Sequence, residues 1–134
     1  MTPFKLALAI VLLAGPVAAK APAIACPANL RPATSAELVF AGADGPKTPV
    51  NEADWRAFVS REVTPRFPDS LAVSDVYGQG GQGPFARQPA KAVLLVLTGA
   101  ERERDKVHAI RDAYRELYRG DRVMLFETPA CVAF

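Results

Sequence analysis

The side chains with the most distinctive chemistry in this sequence are two cysteines and a single histidine. Cys26 and Cys131 stand 105 residues apart, close to the two ends of the chain. In an oxidising compartment two such thiols tend to pair, whereas a reducing compartment would keep them free. We therefore expect a Cys26–Cys131 disulfide. Two alternatives stay open, namely two free thiols and a Cys26 that carries a lipid.

Neither the histidine nor the cysteines belong to a recognisable catalytic or metal-binding set. His108 lies about 130° from the middle of the apolar stripe of its predicted helix, so it should face water. Two cysteines and one histidine cannot supply the four ligands of a structural zinc site, and two thiolates cannot hold an iron–sulfur cluster. The chain also lacks a phosphate loop, GxGxxG after a strand, GxSxG and HExxH. We assign no catalytic residue, no metal ligand and no cofactor.

Four residues form the best candidate for a binding site: Arg66, Asp75, Tyr77 and Gln79. Arg66 lies between two prolines, whose stiff backbone would hold its guanidinium ready for a carboxylate or phosphate. Asp75 and Tyr77 share one face of a predicted strand, and Gln79 follows beside a glycine-rich loop; a buried carboxylate there would require a partner. Two other interpretations remain: Arg66 braces a turn, against Asp69 or Asp75, and the strand simply runs out into solvent.

Length and composition exclude several broad classes of protein. The chain has 134 residues, of which 50% are hydrophobic and 22% are charged, which argues against disorder, collagen and a coiled coil. The 16 Lys and Arg residues are nearly balanced by 14 Asp and Glu residues, for a net charge of +2. So small and evenly mixed a charge is not typical of a dedicated nucleic-acid binder. We therefore expect no nucleic-acid partner.

The N-terminus has the pattern of a secretory signal peptide. Lys5 precedes an apolar run over 6–14, a Gly-Pro pair breaks the run, and small residues over 17–19 offer a cleavage site. The run is shorter than the roughly 20 residues of a transmembrane helix. We expect residues 1–19 to be the signal peptide, and the mature chain to be periplasmic or extracellular without a transmembrane span. The alternative is a lipoprotein anchored through Cys26, since residues 23–26 loosely resemble a lipobox.

The remaining sequence predicts an alternation of strands and helices. Residues 20–35 are expected to be an extended lead-in, and residues 36–134 a single domain. The predicted strands cover 36–41, 70–77, 91–98 and 122–127, the predicted helices 52–64 and 101–119, and a predicted mobile loop Gly78–Pro89. This order is typical of an α+β, ferredoxin-like βαββαβ fold: a four-stranded antiparallel sheet with two helices on one face.

Apolar spacing predicts how these elements pack. Trp55 and Phe58 lie on one helical face and are expected to anchor the core. The unbroken apolar run 93–97 is typical of a central strand that is covered on both faces, or nearly so. The second helix has an apolar stripe formed by Val107, Ile110, Tyr114, Leu117 and Tyr118. We expect its two tyrosines to pack with their hydroxyls directed toward water.

Segments spread over the whole mature chain also resemble a known family. They are Cys26-Pro27, 30–32, 36–40, 54–58, 63–68 and 128–132. Together they are similar to the small exported bacterial proteins of domain-of-unknown-function family 3574. The segment 78–89 departs from that family because it is rich in glycine. The family has no assigned activity, so the resemblance implies an exported compartment and a fold, and no chemistry.

Two functions of different class remain open. The first is a non-enzymatic module, closed by a disulfide, that binds an unknown small molecule or an envelope protein. The second is an enzyme of the dimeric α/β-barrel type, a homodimer in which two sheets enclose a pocket for a small molecule; it rests on fold analogy alone. The sheet face that the helices leave free separates the two. Apolar side chains there would favour a dimer or a pocket, and polar ones a monomer.

Overall fold

The computed structural model describes residues 24–41, 51–79, 87–99, 101–118 and 123–134. In chain order the elements are β1 (Arg31–Phe40), α1 (Glu52–Phe58), a π-helical segment (Val59–Val63), β2 (Leu71–Gln79), β3 (Arg87–Leu97), α2 (Glu101–Leu117) and β4 (Val123–Val132). The predicted signal peptide, residues 1–19, lies outside the described residues, and so does the centre of the predicted glycine-rich loop.

The four strands form one antiparallel sheet in the order β2-β3-β1-β4. β3 separates β1 from β2, and β1 separates β3 from β4, so each β–α–β unit is split by a strand of the other unit. This is the ferredoxin-like arrangement, and the predicted fold class is confirmed.

The core lies between the helices and one face of the sheet. Phe40 of β1 is fully buried. Its ring centroid lies 5.1 Å from that of Trp55, 5.7 Å from Phe58 and 4.8 Å from Tyr114. Because α1 supplies Trp55 and Phe58 and α2 supplies Tyr114, both helices cover the same face. The prediction that Trp55 and Phe58 anchor the core is confirmed.

The first helix begins at an asparagine cap. Asn51 Oδ1 accepts hydrogen bonds from the backbone N–H groups of Ala53, at 2.8 Å, and Asp54, at 3.4 Å. After Phe58 the helix widens into the π-helical segment, whose backbone closes with a 2.9 Å bond from Thr64 N to Val59 O. Such segments are rare and often occur at functional sites.

Four predicted strand boundaries are wrong. β1 begins at Arg31, within the predicted lead-in, and β4 continues to Val132, beyond its predicted end at residue 127. The two extensions pair with each other, Pro32 standing opposite Cys131. Pro32 has no N–H group to donate to a neighbouring strand. This costs little stability because β3 pairs with β1 only from Thr34 onward, so Pro32 lies where β1 has no neighbour on that side. β2 and β3 also extend into the predicted loop, as far as the pair Gln79 and Arg87.

The predicted disulfide is present. Cys26 and Cys131 are joined with a Cα–Cα distance of 5.6 Å, which ties the segment before β1 to the end of β4. A disulfide suggests an oxidising, extracytoplasmic location. In the part of the chain that the structure describes, no helix is long and apolar enough to cross a bilayer.

Three expectations about packing need correction. The run 93–97 is in an inner strand, but the helices cover only one of its faces, and Leu94 is 42% exposed on the other. Leu117 belongs to the predicted apolar stripe, but it lies in the last turn of α2 and is 54% exposed. The Tyr114 hydroxyl does not reach water but donates a 2.7 Å hydrogen bond to Ala41 O.

Candidate ligand-binding cleft

The candidate site lies where β2 and β3 meet the start of α1. In the strand register Asp75 stands opposite Lys91, and Tyr77 stands opposite Pro89. Lys91 in turn pairs with Phe40 of β1, so these side chains belong to the same sheet face as the core. Glu52, the first residue of α1, approaches this face from the helix layer.

Lys91 joins the strand to the helix through two carboxylates. Its Nζ donates hydrogen bonds to Asp75 Oδ1 at 2.5 Å and to Glu52 Oε2 at 2.6 Å. Only 14% of the Lys91 side chain is exposed, whereas the side chains of Glu52 and Asp75 are 53% and 74% exposed. The other carboxylate oxygen of Glu52 accepts a 3.3 Å bond from Arg56 Nε on the same helix.

The protonation of this group follows from its contacts. The hydrogen bonds to Asp75 and then Glu52 raise the pKa of Lys91 above its ordinary value of 10.5. The hydrogen bond from Lys91 lowers the pKa of Glu52 below 4.5. At neutral pH these shifts keep both Lys91 and Glu52 in their charged forms. A lysine held in this charged form does not act as a nucleophile or a general base.

A cleft of about 270 Å³ opens beside these charges. It is lined by Glu52, Asp75, Val76, Tyr77, Pro89, Ala90 and Lys91. Tyr77 is 70% exposed, so its ring is available to a ligand. A second, more open depression lies between α1, the π-helical segment and β2. It shares Glu52 with the cleft and also contacts Ser60 and Val73.

Of the four residues predicted to form a site, the structure brings Asp75 and Tyr77 together in the cleft. The backbone of Gln79 ends β2, and its side chain lies outside the described set. Arg66 lines neither depression. Its Nη1 donates to the backbone oxygen of Glu62 at 2.6 Å and to Glu62 Oε2 at 2.8 Å. The predicted brace therefore acts against Glu62, not against Asp69 or Asp75.

The sequence analysis does not identify Glu52 and Lys91 as site residues. Glu52 begins a predicted helix and Lys91 begins a predicted strand, and neither position by itself indicates a binding site. A cross-strand pair of opposite charges is a recognisable signal. It would have identified Asp75 and Lys91 only if the register of the β2–β3 hairpin had been known, and the long glycine-rich connection conceals that register.

His108, Tyr114 and Tyr118 lie outside the cleft. His108 is exposed, as predicted, with Nδ1 3.5 Å from Arg111 Nη1. Tyr114 and Tyr118 pack with ring centroids 4.6 Å apart, and burial raises the pKa of Tyr118 above 10.0. Among the residues that the structure describes, no group of three His, Cys, Asp or Glu side chains could hold a metal ion.

Comparison with known families decides where the chain belongs. The family model described as "Protein of unknown function (DUF3574)" matches residues 35–134. The chain is a member of the DUF3574 family. The predicted family resemblance is thereby confirmed. No curated protein matches this DUF3574 chain.

Solved structures of distant proteins show similarity to the DUF3574 chain. CPII, a nitrogen regulatory PII-like protein from Thiomonas intermedia K12 bound to ADP, AMP and bicarbonate, matches with a TM-score of 0.45 and 11% identity, over 78% of this chain and 97% of the other. A phage SAM lyase in complex with S-methyl-5'-thioadenosine matches with a TM-score of 0.49 and 12% identity, over 76% of this chain and 90% of the other.

Proposed function

We propose that this DUF3574 protein is a non-enzymatic binding module whose cleft takes a small molecule carrying an amino or guanidino group. The observation that carries the proposal is the convergence of two exposed carboxylates and one exposed aromatic ring on the same cleft, at Glu52, Asp75 and Tyr77. Carboxylates bind cationic nitrogen groups by charge-assisted hydrogen bonds, and an aromatic face attracts the same cations.

The charges of the cleft favour a cationic ligand over an anionic one. Two carboxylates and one ammonium group leave a formal excess of one negative charge. The ammonium of Lys91 already donates to both carboxylates and is mostly covered, whereas Asp75 and Glu52 are exposed by more than half. An approaching ligand therefore meets carboxylate oxygens first, and an anion would have to displace them from Lys91.

The size of the cleft and the position of Tyr77 restrict the ligand further. Ligand pockets commonly have volumes of roughly 300–1,000 Å³, and the volume here is about 270 Å³. This suits a short diamine or a guanidino compound better than a nucleotide. Tyr77 stands opposite Pro89 in the strand register, and its exposed ring lines the cleft, where a ligand cation could stack on it.

Isothermal titration calorimetry with putrescine as the probe tests the proposal. We expect saturable 1:1 binding to the oxidised chain and none of the uncharged analogue 1,4-butanediol. Asp75→Asn and Tyr77→Ala should each weaken binding by about three- to tenfold, since one exposed charge pair or cation–π contact contributes on the order of 1 kcal/mol.

Asp112→Asn is the matched control for Asp75→Asn. Asp112 lies on α2, is 66% exposed and also contacts a basic side chain, Arg115. Its variant should bind putrescine like the wild type. Equal binding of putrescine and butanediol, or binding that Asp75→Asn leaves unchanged, would rule out this cleft as a cation site.

The proposed location is the periplasm or the outside of the cell. The disulfide supports export, and because it occupies Cys26 it also speaks against an acylated Cys26. Intact-mass measurement of the exported chain should find residues 1–19 removed and a gain of about two hydrogens on reduction. An acyl adduct on Cys26, or full-length chain retained in the cytosol with both thiols alkylated, would contradict this location.

One observation favours the second candidate, the dimeric α/β-barrel enzyme. The sheet face opposite the helices is largely apolar, which is what a pocket between two sheets would require. Native mass spectrometry would favour this candidate if it found a dimer that retains a small molecule and releases it chemically altered. A retained but unaltered ligand would favour the binding module.

A further inference from the structure

The two edge strands of the sheet, β2 and β4, differ in how open they are to a further strand. β4 contains Pro129, and a proline on an edge strand has no N–H group to offer to another strand. β2 contains neither proline nor lysine, and it pairs with β3 in a continuous register without a bulge. Its one charged side chain, Asp75, is bound to Lys91 on β3. An edge without such protection is a place where an extended segment of another chain can pair.

The backbone of β2 offers hydrogen-bonding groups to a further strand at every second residue. Val96 N donates to Ser70 O at 3.2 Å, which continues the β2–β3 ladder by one position. In an antiparallel pair the residues that bond to the neighbour alternate with residues that face away from it. The N–H and C=O groups of Val73, Asp75 and Tyr77 therefore point away from β3. In the part of the chain that the structure describes, β2 has no neighbouring strand on that side.

The side chains of the same three residues line both depressions beside α1. Asp75 and Tyr77 contribute to the cleft. Val73 contributes to the more open depression, where it is joined by the apolar side chains of Trp55 and Val59. Residues that stand directly opposite each other in an antiparallel pair point to the same face of the sheet. An added strand would therefore bring alternate side chains to the two depressions in turn.

We propose that the edge of β2 binds an extended peptide of another protein, which adds a fifth strand to the sheet. A basic residue of the peptide lies opposite Asp75, and apolar residues lie opposite Val73 and Tyr77. The required pattern is apolar-x-basic-x-apolar, which reads the same in both chain directions. Main-chain hydrogen bonds supply affinity in such a complex, and pockets for alternate side chains supply specificity. The inference rests on the proposed function, because the amino or guanidino group in the cleft becomes that of a lysine or an arginine.

The residues of β2 argue against a second copy of this chain as the added strand. β2 contains neither lysine nor arginine, so a second β2 would place an uncharged residue or another aspartate opposite Asp75. Like charges directly opposite each other are destabilising. A peptide with a central basic residue instead compensates the excess negative charge that Glu52 and Asp75 leave beside Lys91.

Titration calorimetry of the oxidised chain with the acetylated and amidated peptide TVTKTVT tests the side-chain pattern. We expect saturable 1:1 binding that competes with putrescine, because both ligands place a cation beside Asp75. Replacing the central lysine of the peptide by norleucine should weaken binding about tenfold, since the contacts with the carboxylate and with the Tyr77 ring are both lost. Replacing both valines by serine should weaken it about three- to tenfold.

Methylation of backbone nitrogens in the peptide separates strand addition from capture of a free cation. In the proposed pairing the backbone N–H of the central lysine donates to Asp75 O, whereas the N–H groups of the two neighbouring threonines point away from β2. A methyl group on the backbone nitrogen of the lysine should abolish binding. A methyl group on that of the following threonine should leave the affinity within about threefold. Equal affinities of the two methylated peptides would overturn strand addition.

Amide hydrogen exchange followed by NMR gives a readout for each residue of β2. The peptide should protect the amides of Val73, Asp75 and Tyr77, and it should leave unchanged those of Ser74 and Val76, which already bond to β3. Protection of both sets, or of neither, would overturn the proposal. Protection of the first three amides without peptide would also overturn it, because a second copy or a segment of this chain would then occupy the edge.

The peptide and the small-molecule proposal can be told apart when one of them fails. Asp75→Asn should weaken the binding of both ligands, and Asp112→Asn should weaken neither. Binding of putrescine without binding of the peptide would overturn strand addition and leave the cleft as a site for small cations. Peptide binding that Asp75→Asn leaves unchanged would overturn the placement of the basic residue. Binding of neither ligand would overturn both proposals.

Discussion

The two faces of the sheet are built from alternate residues of the same strands, yet they differ in what covers them. On the helix face, Leu38 and Phe40 of β1 and Val93 and Leu95 of β3 are all fully buried. On the opposite face, which the helices leave free, the residues one step along the same strands are Val39, which is half-buried, and Leu94, which is 42% exposed.

This difference teaches that apolar residues on a strand face indicate burial of that face, whether the covering group belongs to the same chain or not. Two helices suffice for one face of a four-stranded sheet, and α1 and α2 are the only α-helices among the described residues. The apolar content of β3 exceeds what those helices can bury. The remaining apolar residues of β3, Leu94 and Val96, lie on the sheet face opposite the helices.

The largest effect should come from matched phenylalanines on the two faces. Phe40→Ala removes a buried ring that contacts Trp55, Phe58 and Tyr114, and should lower the free energy of unfolding by about 3–5 kcal/mol. Phe126→Ala removes a half-exposed ring and should cost less than about 1 kcal/mol in a dilute monomer, as surface changes do. Urea unfolding of both variants at micromolar concentration makes the comparison, and equal losses would contradict the difference between the faces.

The next effect concerns the covalent link at one end of the helix face. Replacing Cys26 and Cys131 together by alanine should lower the free energy of unfolding by about 2–5 kcal/mol, because the disulfide restricts a loop of 105 residues in the unfolded chain. Denaturant unfolding of the double variant, beside the reduced wild type, provides the measurement. A loss below about 0.5 kcal/mol in both would show that the strand pairing alone holds the two ends.

A smaller effect is expected from the buried hydroxyl of Tyr114 on the helix face. Tyr114→Phe removes the hydrogen bond to Ala41 O while keeping the ring that packs on Phe40. The free energy of unfolding should fall by about 1–2 kcal/mol, the usual range when a buried acceptor loses its donor. Tyr77→Phe is the control, since that hydroxyl is on a side chain 70% exposed and its loss should change little.

The smallest effect concerns the pH dependence of stability at the exposed end of the helix face. The raised pKa of Lys91 stabilises the fold below about pH 10.5, and this contribution is lost as the pH rises above it. The lowered pKa of Glu52 stabilises the fold above about pH 4.5, and this contribution is lost as the pH falls.

Urea midpoints of the wild type and Lys91→Met should therefore differ most between these two limits and converge outside them. Lys106→Met is the control, because the Lys106 ammonium contacts the backbone oxygen of Arg66 and the ring of Phe67, not a carboxylate. A wild-type advantage over Lys91→Met that does not shrink at either end would show that the carboxylate pairing is not its source.

Most of the fold could be predicted from the sequence because it depends on local patterns. The cap at Asn51, the spacing of Trp55 and Phe58 and the apolar run of β3 each act over a few residues. The strand extensions could not be predicted this way. The sequence from Arg31 to Ser35 has little preference for a strand, and it is held in one by pairing with β4 and by the nearby disulfide.

The candidate site was only half predictable for a similar reason. Asp75 and Tyr77 follow from strand alternation alone. Lys91 requires the hairpin register, and Glu52 requires knowledge of where α1 crosses the sheet, both of which are set by tertiary packing. Arg66 lines neither depression. The two prolines suggested that its guanidinium is held ready for a ligand, whereas the π-helical segment places Glu62 within its reach.

Carbene footprinting of the oxidised protein tests most directly whether the two faces differ as described. At nanomolar concentration, the account predicts strong labelling of Leu94, Met124 and Phe126 and little labelling of Leu38 and Leu95. If Leu94, Met124 and Phe126 resist labelling, or if Leu38 and Leu95 are labelled as strongly as they are, the account is contradicted.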